Sequence, residues 1–411
     1  MSGRDIPFWV GPATSEGVDP AQKAQMAAVG GGWGRRSMMV AVETDEDDPT
    51  PTEFAAEAAA WLAANRRRAP RDYGAILPAD LRDEGVAWQR RIFDAGYAGI
   101  HWPTEHGGRG LTPEHTAAWI EACARAEVPP FINMVGVVLT GGSILLFGTP
   151  EQRTEHLRPI LTGERIWCQL FSEPGAGSDL ASLATTARRD GDEYVLSGRK
   201  VWCSNGRISD RGICLARTDA DPATPKHRGI SFFLVDMHAP GVEVRPLRQM
   251  TGGSEFDEVF LDDVRVPTTD LLGAEHDGWN VAMATLTNER GHIGASAISL
   301  QRRLDAMSST GLPADELGRL LARGHAHLAL AGRQGPVASV AASLMKLGVT
   351  ELLFDAAMAR ARQAGPYAML VGDESAGVLG APAGRIAGGT TEVQRNIIGE
   401  RILGLPKEPR G

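Results

Sequence analysis

The sequence predicts an α+β protein of several domains in the order helical, β and helical. The pattern of apolar residues along the chain supports this order. Helical periodicity of apolar residues dominates from about residue 51, gives way to short β-branched and aromatic runs near residue 166, and returns after residue 268. The chain is 411 residues long, with 43% hydrophobic and 23% charged residues, which suits two or three globular domains and excludes a fibrous or disordered protein.

Residues 51–165 are expected to form an N-terminal all-α domain, and residues 1–50 a flexible extension. The extension carries a glycine cluster and the acidic run "ETDEDDPTPTE", which bury little apolar surface. The helical domain begins with the amphipathic stretch "TEFAAEAAAWLAANRR". Further along, Thr112 is placed as an N-cap and Pro113 as the first residue of a helix.

Residues 166–268 are expected to form an antiparallel β-barrel or sandwich. Runs such as "EYVLSGRKVWCSN", "ISFFLVDM" and "DEVFLDDVRVP" are separated by Gly, Asp, Ser and Pro turns at intervals of roughly ten residues. Residues 269–411 return to helical periodicity and are expected to form a C-terminal domain like a four-helix bundle. Its first segment is predicted to be a largely apolar helix with Glu289 and Arg290 in the middle. These two charged residues lie either on a solvated face or in the interior, where a carboxylate would need a functional reason.

Charge and cysteine usage exclude several classes of function. A formal net charge of −9 argues against an extended nucleic-acid interface, although a few arginines could still hold a small polyanion. The four cysteines have no CxxC pairing or metal-ligand spacing, which indicates packing residues in a reducing compartment and no metal site. The sequence shows neither a long apolar run nor a secretory signal, so we expect a cytoplasmic protein without a membrane span.

The most specific text is "CQLFSEPGAGSDLAS", followed by "GRKVWCSNG". Gly175 and Gly177 allow a flat or phosphorylated ligand to approach the backbone closely. Ser172 and Ser204 offer hydroxyl groups, and Trp202 offers an aromatic face. A glycine-rich turn by itself is equally typical of a tight hairpin, so the interpretation depends on what accompanies it.

The accompanying motifs resemble those of the FAD-dependent acyl-CoA dehydrogenases. "FSEPGAGSD", "KVWCSNG", "FLDDVRVP" and "GGTTEVQRNIIGER" are similar to successive signatures of that family, in the same order and at similar separations. The resemblance covers about residues 50–407. "AGIHWPTEHGGRGL" and "IIGERILGLP" resemble most the actinobacterial branch, which degrades varied and often bulky acyl groups.

The resemblance implies FAD as cofactor and an acyl-CoA as substrate, which becomes a trans-2-enoyl-CoA. Positions that match the family's cofactor contacts are Gln169, Phe171, Ser172, Gly177, Ser178, Trp202, Cys203, Ser204, Thr390 and Glu392. Positions that match its substrate contacts are Ser178, Asn288, Arg290 and Gly388, and a guanidinium such as that of Arg290 suits phosphates and carbonyls.

Gly388 departs from the pattern of many members, which place the catalytic glutamate immediately before the Gly-Thr of "RIAGGTTE". Glycine has no side chain to act as a base. A subset of the family carries its base on the helix after the β domain, at the position of Glu289. A carboxylate in a mostly apolar pocket is a stronger base, as removal of a thioester α-proton requires. Glu289 is therefore the expected catalytic base.

A second departure concerns segments that reach the cofactor across a subunit interface in the family. "DAMSSTGLPAD" and "VGDESAGVLGAP" stand where the family's common motifs are expected. The resemblance implies an electron-transferring flavoprotein as electron acceptor and a homodimer or homotetramer, with a hetero-oligomer as an open alternative. A non-catalytic partner subunit and a flavin monooxygenase on the same fold also stay open.

Deletion of residues 1–38 should shift the midpoint of thermal unfolding by less than about 2 °C, because an acidic, glycine-rich extension buries little apolar surface. Differential scanning fluorimetry of the full-length and shortened chains measures the shift. A large loss of stability would show that the extension is docked on the rest of the protein.

Overall fold

The computed structural model describes residues 48–71, 76–289, 293–309, 311–331 and 337–406. For residues 287–289, 293–299, 309, 331 and 337–341 it describes the backbone alone. The predicted flexible extension falls almost entirely outside the described residues. The first helical region contains α1 (Pro51–Asn65), α2 (Arg82–Asp94), α3 (Pro113–Ala126), a π-helical segment (Val135–Thr140), α4 (Gly141–Phe147) and α5 (Pro150–Thr162).

Three of these helices begin with the same Thr-Pro pair. Thr50, Thr112 and Thr149 are the N-caps of α1, α3 and α5, and a proline follows each of them at the first helical position. The hydroxyls of Thr50 and Thr149 accept from backbone N–H groups that have no partner within the helix, at 3.3 and 3.2 Å, and proline has no N–H to satisfy. The cap predicted at Thr112 is confirmed.

The central region is one sheet, which contains seven strands within the described residues. The strands are β1 (Trp167–Leu170), β2 (Thr186–Asp190), β3 (Glu193–Ser204), β4 (Arg211–Arg217), β5 (Ile230–Asp236), β6 (Val242–Leu247) and β7 (Phe256–Pro267). Their order is β1-β4-β2-β3-β7-β6, and β5 also pairs with β4, antiparallel from Arg211 to Arg217. The predicted β domain is confirmed, but β4 runs parallel to β1 and β2, so the sheet is mixed and not purely antiparallel.

Helices resume after the sheet. They are α6 (Gly278–Glu289), α7 (Ile293–Ala306), α8 (Ala314–Ala331), α9 (Val337–Ala364), α10 (Asp373–Ile386) and α11 (Thr391–Ile397), which continues as a π-helical turn (Ile398–Ile402). The predicted order of helical, β and helical regions is thus confirmed, while the domain boundaries at residues 50, 165 and 268 stay predictions. None of the helices in the described ranges has the length and apolar character needed to cross a membrane.

Two buried side-chain amides join the first helices to the sheet. The Gln89 amide nitrogen donates to Leu161 O at 2.9 Å, and its oxygen accepts from Ile132 N at 2.9 Å. The Asn133 oxygen accepts from Trp167 N at 3.0 Å, at the start of β1. Because both amides are almost completely buried, losing these bonds would leave polar groups without partners. The amides therefore fix where β1 begins relative to α2 and α5.

His156 lies in the same junction. Its ring is fully buried and stands edge-on to Trp167, with ring centroids 5.4 Å apart. Its Nδ1 lies 3.4 Å from Arg165 Nη1. Burial, together with the guanidinium groups of Arg211 and Arg165, lowers the pKa of His156 to about 4 although Glu155 opposes the shift. The ring is therefore neutral in the folded protein near neutral pH.

The junction should weaken between about pH 6.5 and pH 4, because His156 binds a proton in the unfolded chain and not in the folded one. The folded-state pKa lies below the unfolded value, so the stabilisation is complete above pH 6.5 and is lost towards pH 4. His156→Gln should lower the slope of unfolding free energy against pH in this range by up to about 1.4 kcal/mol per pH unit, which corresponds to the uptake of one proton. Urea unfolding at saturating cofactor, followed at several pH values, measures both slopes. Equal slopes for the two proteins would contradict this account.

Candidate active site

The loop after β1 and the end of β3 lie side by side. Val201 N donates to Ser172 O at 2.9 Å, which joins the two predicted motifs directly. Phe171 is buried and packs edge-on against Phe232, with centroids 5.7 Å apart. The hydroxyl-bearing side chains of Ser172 and Ser204 are half-buried. The structure therefore brings Phe171, Ser172 and the Trp202–Ser204 segment together, while their contact with a cofactor stays a prediction.

The glycine-rich loop is both a tight turn and an open surface. Glu173 and Ala176 exchange two backbone hydrogen bonds of 3.0 Å, so the hairpin interpretation is correct. A Cβ atom added at Gly175 or Gly177 would meet no atom within 4 Å, and Ser178 is exposed. This side of the loop therefore has room for a ligand close to the backbone.

Trp202 stands out of the sheet. Its φ is +61°, a left-handed conformation that is uncommon for a residue with a side chain, and its side chain is 56% exposed. The cause is a β-bulge: the β3–β7 register shifts between Lys200 and Cys203, which places one extra residue in β3. The indole packs edge-on against Phe256 at 5.8 Å and leaves its remaining surface open.

Cys203 faces the opposite way from Trp202. Its thiol is fully buried in the core of the β domain, and burial raises the pKa of that thiol well above its usual range. A contact between residue 203 and a ligand would therefore come from its backbone. Gln169 is half-buried on β1, where it pairs with Ile213.

The C-terminal positions lie around a pair of glycines. Gly388 and Gly389 have φ values of +64° and +91°. Their carbonyl oxygens accept from Gln394 Nε2 at 3.1 Å and from Lys346 Nζ at 2.6 Å, respectively. Thr390 then caps α11. The sequence reasoning missed Lys346 and Gln394, because an isolated lysine or glutamine gives no local signal of contact with a distant carbonyl.

Glu392 is exposed at the start of α11. The backbone at the helix start and Thr390 both hydrogen-bond its carboxylate, which lowers the pKa of Glu392. Within the described part of the chain, no hydrogen bond joins Thr390 or Glu392 to the β domain. The structure therefore shows no direct hydrogen bond between these two predicted cofactor positions and the others within the described residues.

The predicted base lies at the end of α6. The backbone of Asn288 and Glu289 belongs to this helix, whereas Arg290 lies outside the described residues. The Thr285 hydroxyl, one turn earlier, is buried and lies 2.7 Å from Ser143 Oγ of α4. Residues four apart share a helix face, so the Glu289 backbone lies on the face that packs against α4.

These features together fit a flavin. An exposed aromatic ring beside an open glycine loop and half-buried hydroxyl groups suits a flat, polar-edged ring system. Within the described residues no three His, Cys, Asp or Glu side chains gather as metal ligands do. The fold and the site define a flavin-dependent enzyme with a sheet between two helical regions.

The chain belongs to the acyl-CoA dehydrogenase family. The family's N-terminal domain matches residues 49–164, its middle domain residues 168–264 and its C-terminal domain residues 315–403. The chain is an FAD-dependent oxidoreductase that dehydrogenates the acyl group of a CoA thioester.

Curated relatives and solved structures agree with this assignment. The chain is 37% identical to acyl-CoA dehydrogenase IpdE1 of Mycobacterium tuberculosis, over 87% of this chain and 99% of that protein. It is 40% identical to acyl-CoA dehydrogenase FadE34 of the same organism, over 81% of this chain and 47% of that one. The Tcur3481-Tcur3483 steroid ACAD superposes with a TM-score of 0.73 at 27% identity, covering 89% of this chain and 100% of that one. The ChsE4-ChsE5 complex from Mycobacterium tuberculosis gives a TM-score of 0.71 at 27% identity, covering 88% and 99%.

Trp202→Ala should raise the FAD dissociation constant about tenfold, because the open face of the indole supplies contact area to the flavin. The melting temperature of the cofactor-free protein should change little, since the side chain is mostly exposed. Fluorescence titration of cofactor-free protein with FAD measures the affinity.

Phe260→Ala is the matched control for this prediction. Phe260 lies on β7 beneath the guanidinium groups of Arg245 and Arg199, 4.5 and 5.2 Å from its ring centroid. We expect unchanged FAD affinity in this control. Unchanged affinity in Trp202→Ala as well would remove the indole from the cofactor site.

Proposed function

We propose that the chain oxidises bulky or branched acyl-CoA thioesters and that Glu289 removes the α-proton. The observation that carries this proposal is the Gly388–Gly389 turn. A side chain at position 388 would be strained, because φ there is +64°. The backbone at this place favours glycine, so the base has to come from another element.

The position of α6 supports Glu289 in that role. Val281 and Ala282 are fully buried, and Thr285 ties the helix to α4 through Ser143. A rigid helix is a suitable support for a general base, which must lie within hydrogen-bond reach of the proton that it removes. Asn288 and Arg290 flank the base in sequence and are proposed to contact the CoA thioester.

The absence of a side chain at residue 388 also favours bulky substrates. With glycine there, no side chain from this turn occupies space near the reacting carbons. The Gly388 carbonyl is held by Gln394, and the Gly389 carbonyl by Lys346. This orients the turn so that the N–H of residue 388 can donate to the thioester oxygen as negative charge develops on it. One similar structure is named a steroid ACAD, which supports polycyclic or branched acyl groups as the substrate class.

The flavin, when bound, accepts the hydride that leaves the β-carbon. The proposed contacts of the chain with it are the exposed indole of Trp202, the hydroxyls of Ser172, Ser178 and Ser204, the backbone of Gly177 and Cys203, and the side chains of Gln169, Phe171, Thr390 and Glu392. Among these, the half-buried hydroxyls suit the polar edge of the ring and the indole suits its face. We propose an electron-transferring flavoprotein as the next electron acceptor and the cytoplasm as the location.

The surface of the C-terminal helices supports an oligomer. Four large apolar side chains close together in the sequence are strongly exposed, which is unusual for this kind of side chain. They are Tyr367, Met369, Leu370 and Val371. Thr390 and Glu392 are also not joined to the β domain within the described part of one chain. A homodimer or homotetramer would complete the cofactor site by symmetry.

A hetero-oligomer is the second candidate. It is favoured by the altered segments "DAMSSTGLPAD" and "VGDESAGVLGAP", of which the second includes the exposed Val371. Two similar structures also pair two different chains. In such an assembly the partner chain would supply part of the cofactor contacts.

Anaerobic titration with straight, branched and steroid-side-chain acyl-CoAs tests the substrate class. We expect the bulky and branched thioesters to bleach the flavin absorbance faster than short straight chains, because residue 388 leaves space beside the α-carbon. Faster bleaching by short straight chains would contradict the proposed class. Protein that binds FAD only when a second chain is co-expressed would favour the hetero-oligomer.

Glu289→Gln should keep FAD bound but slow flavin reduction by roughly 10² to 10⁴, the usual effect of losing a positioned general base. Stopped-flow absorbance with a branched acyl-CoA measures the rate. Glu275→Gln is the matched control, because residue 275 lies just before α6, at the end of that helix far from residue 289. Wild-type rates in Glu289→Gln would place the base elsewhere.

A further inference from the structure

Lys200 is a lysine in the core of the β domain. Its side chain is 0% exposed, although "GRK" in a sequence is typical of a solvated turn. The ammonium group makes three hydrogen bonds: to Glu173 Oε1 at 2.7 Å, to Leu215 O at 2.7 Å and to Phe171 O at 3.3 Å. An ammonium group has three protons to donate, so all of them are used.

Glu173 completes the other half of this pair. Its carboxylate accepts from Ala184 N at 2.6 Å and from Thr185 N at 3.0 Å, besides Lys200. Burial by itself would raise the pKa of Glu173, but Lys200 and the hydrogen bonds from residues 184 and 185 hold that pKa below its usual value. Every bond of the pair runs either to the other partner or to the backbone.

The pair lies between the two motifs of the cofactor site. Phe171 O and the Glu173 carboxylate bind Lys200, and Ser172 O between them binds Val201 N at 2.9 Å. Three consecutive residues of the loop are thus tied to two consecutive residues of β3. The bulge that turns Trp202 outwards begins directly after Lys200.

We propose that Lys200 and Glu173 are positioning residues of the cofactor site, which set the spacing between the Ser172 loop and Trp202. The inference rests on the proposed placement of the flavin against these two elements. A fully satisfied buried polar network specifies one geometry, whereas apolar side chains of similar volume would allow the loop to slide. Stability alone does not require the pair, because a buried ion pair is often replaceable by neutral side chains at no cost.

The double variant Lys200→Met/Glu173→Gln tests the inference, because it removes both charges together and leaves no unpaired buried ion. We expect its cofactor-free form to melt somewhat below wild type, because the buried carbonyls of Phe171 and Leu215 lose a donor. Its FAD dissociation constant should rise by at least about tenfold, since the loop must then be ordered during binding. The visible circular dichroism of bound FAD should also change, which a purely structural role would not produce. FAD alone is the probe, so the measurement does not depend on turnover.

Arg211→Met/Asp270→Asn is the matched control. Arg211 and Asp270 form another poorly exposed ion pair in the same sheet region, at 3.0 Å, near the opposite end of β4 from Leu215. We expect FAD affinity and circular dichroism like those of wild type in this control. Equal losses in both double variants would overturn the inference in favour of a general effect on the sheet.

The remaining outcomes are distinct from one another. Wild-type affinity and dichroism in Lys200→Met/Glu173→Gln would overturn the positioning role while leaving the proposed function intact. If that variant does not fold, Glu173→Asp keeps both charges but shortens the reach by one methylene. Its FAD affinity should then be lower than wild type, and equal affinity would overturn the inference. Wild-type protein that binds no FAD would refute the placement of the flavin itself.

Discussion

A buried ammonium group organises the β domain. Transferring the charge of Lys200 out of water costs several kcal/mol, which only a close carboxylate and well-placed carbonyls can offset. Glu173, Phe171 O and Leu215 O supply these contacts, all within 3.3 Å. The loop after β1, the strand before Trp202 and the middle of β4 therefore have little freedom relative to one another. Because the loop and β3 are held on the inside, the bulge in β3 directs Trp202 outwards, where a flat ligand can bind.

Buried hydrogen bonds fix the helical regions as well, but there the side chains are neutral. The Gln89 and Asn133 amides bind backbone atoms of three segments and set where β1 starts. The hydroxyl contact between Ser143 and Thr285 sets where α6 lies against α4. A cofactor site in the sheet and the proposed base at the end of α6 can cooperate only if both ends of this scaffold are fixed. Buried hydrogen bonds fix relative positions better than apolar packing does, since each bond has a defined direction.

Both departures from the common family pattern lie in the C-terminal helical region. The left-handed backbone at Gly388 and Gly389 disfavours a side chain at the turn, and glycine supplies no catalytic carboxylate there. The exposed apolar segment from Tyr367 to Val371 is the surface on which the proposed oligomer rests. The proposed base on α6 and the proposed oligomer would together give a reaction centre with room for large acyl groups.

The sequence by itself determined the features that depend on neighbouring residues: the Thr-Pro helix starts, the succession of helices and strands, and the glycine turn at Gly175. These follow from local propensity and capping. It also indicated the cofactor and the reaction, through the resemblance of its motifs to a known family. Only the tertiary structure decided that Lys200 is a core residue, that β1 and β4 are parallel, and that Trp202 faces out while Cys203 faces in. The contacts responsible join residues 27 and 29 positions apart in the case of Lys200 with Glu173 and Phe171. No local pattern encodes such pairings, because a lysine is driven into the core only once the carboxylate and carbonyls that satisfy it have been assembled there.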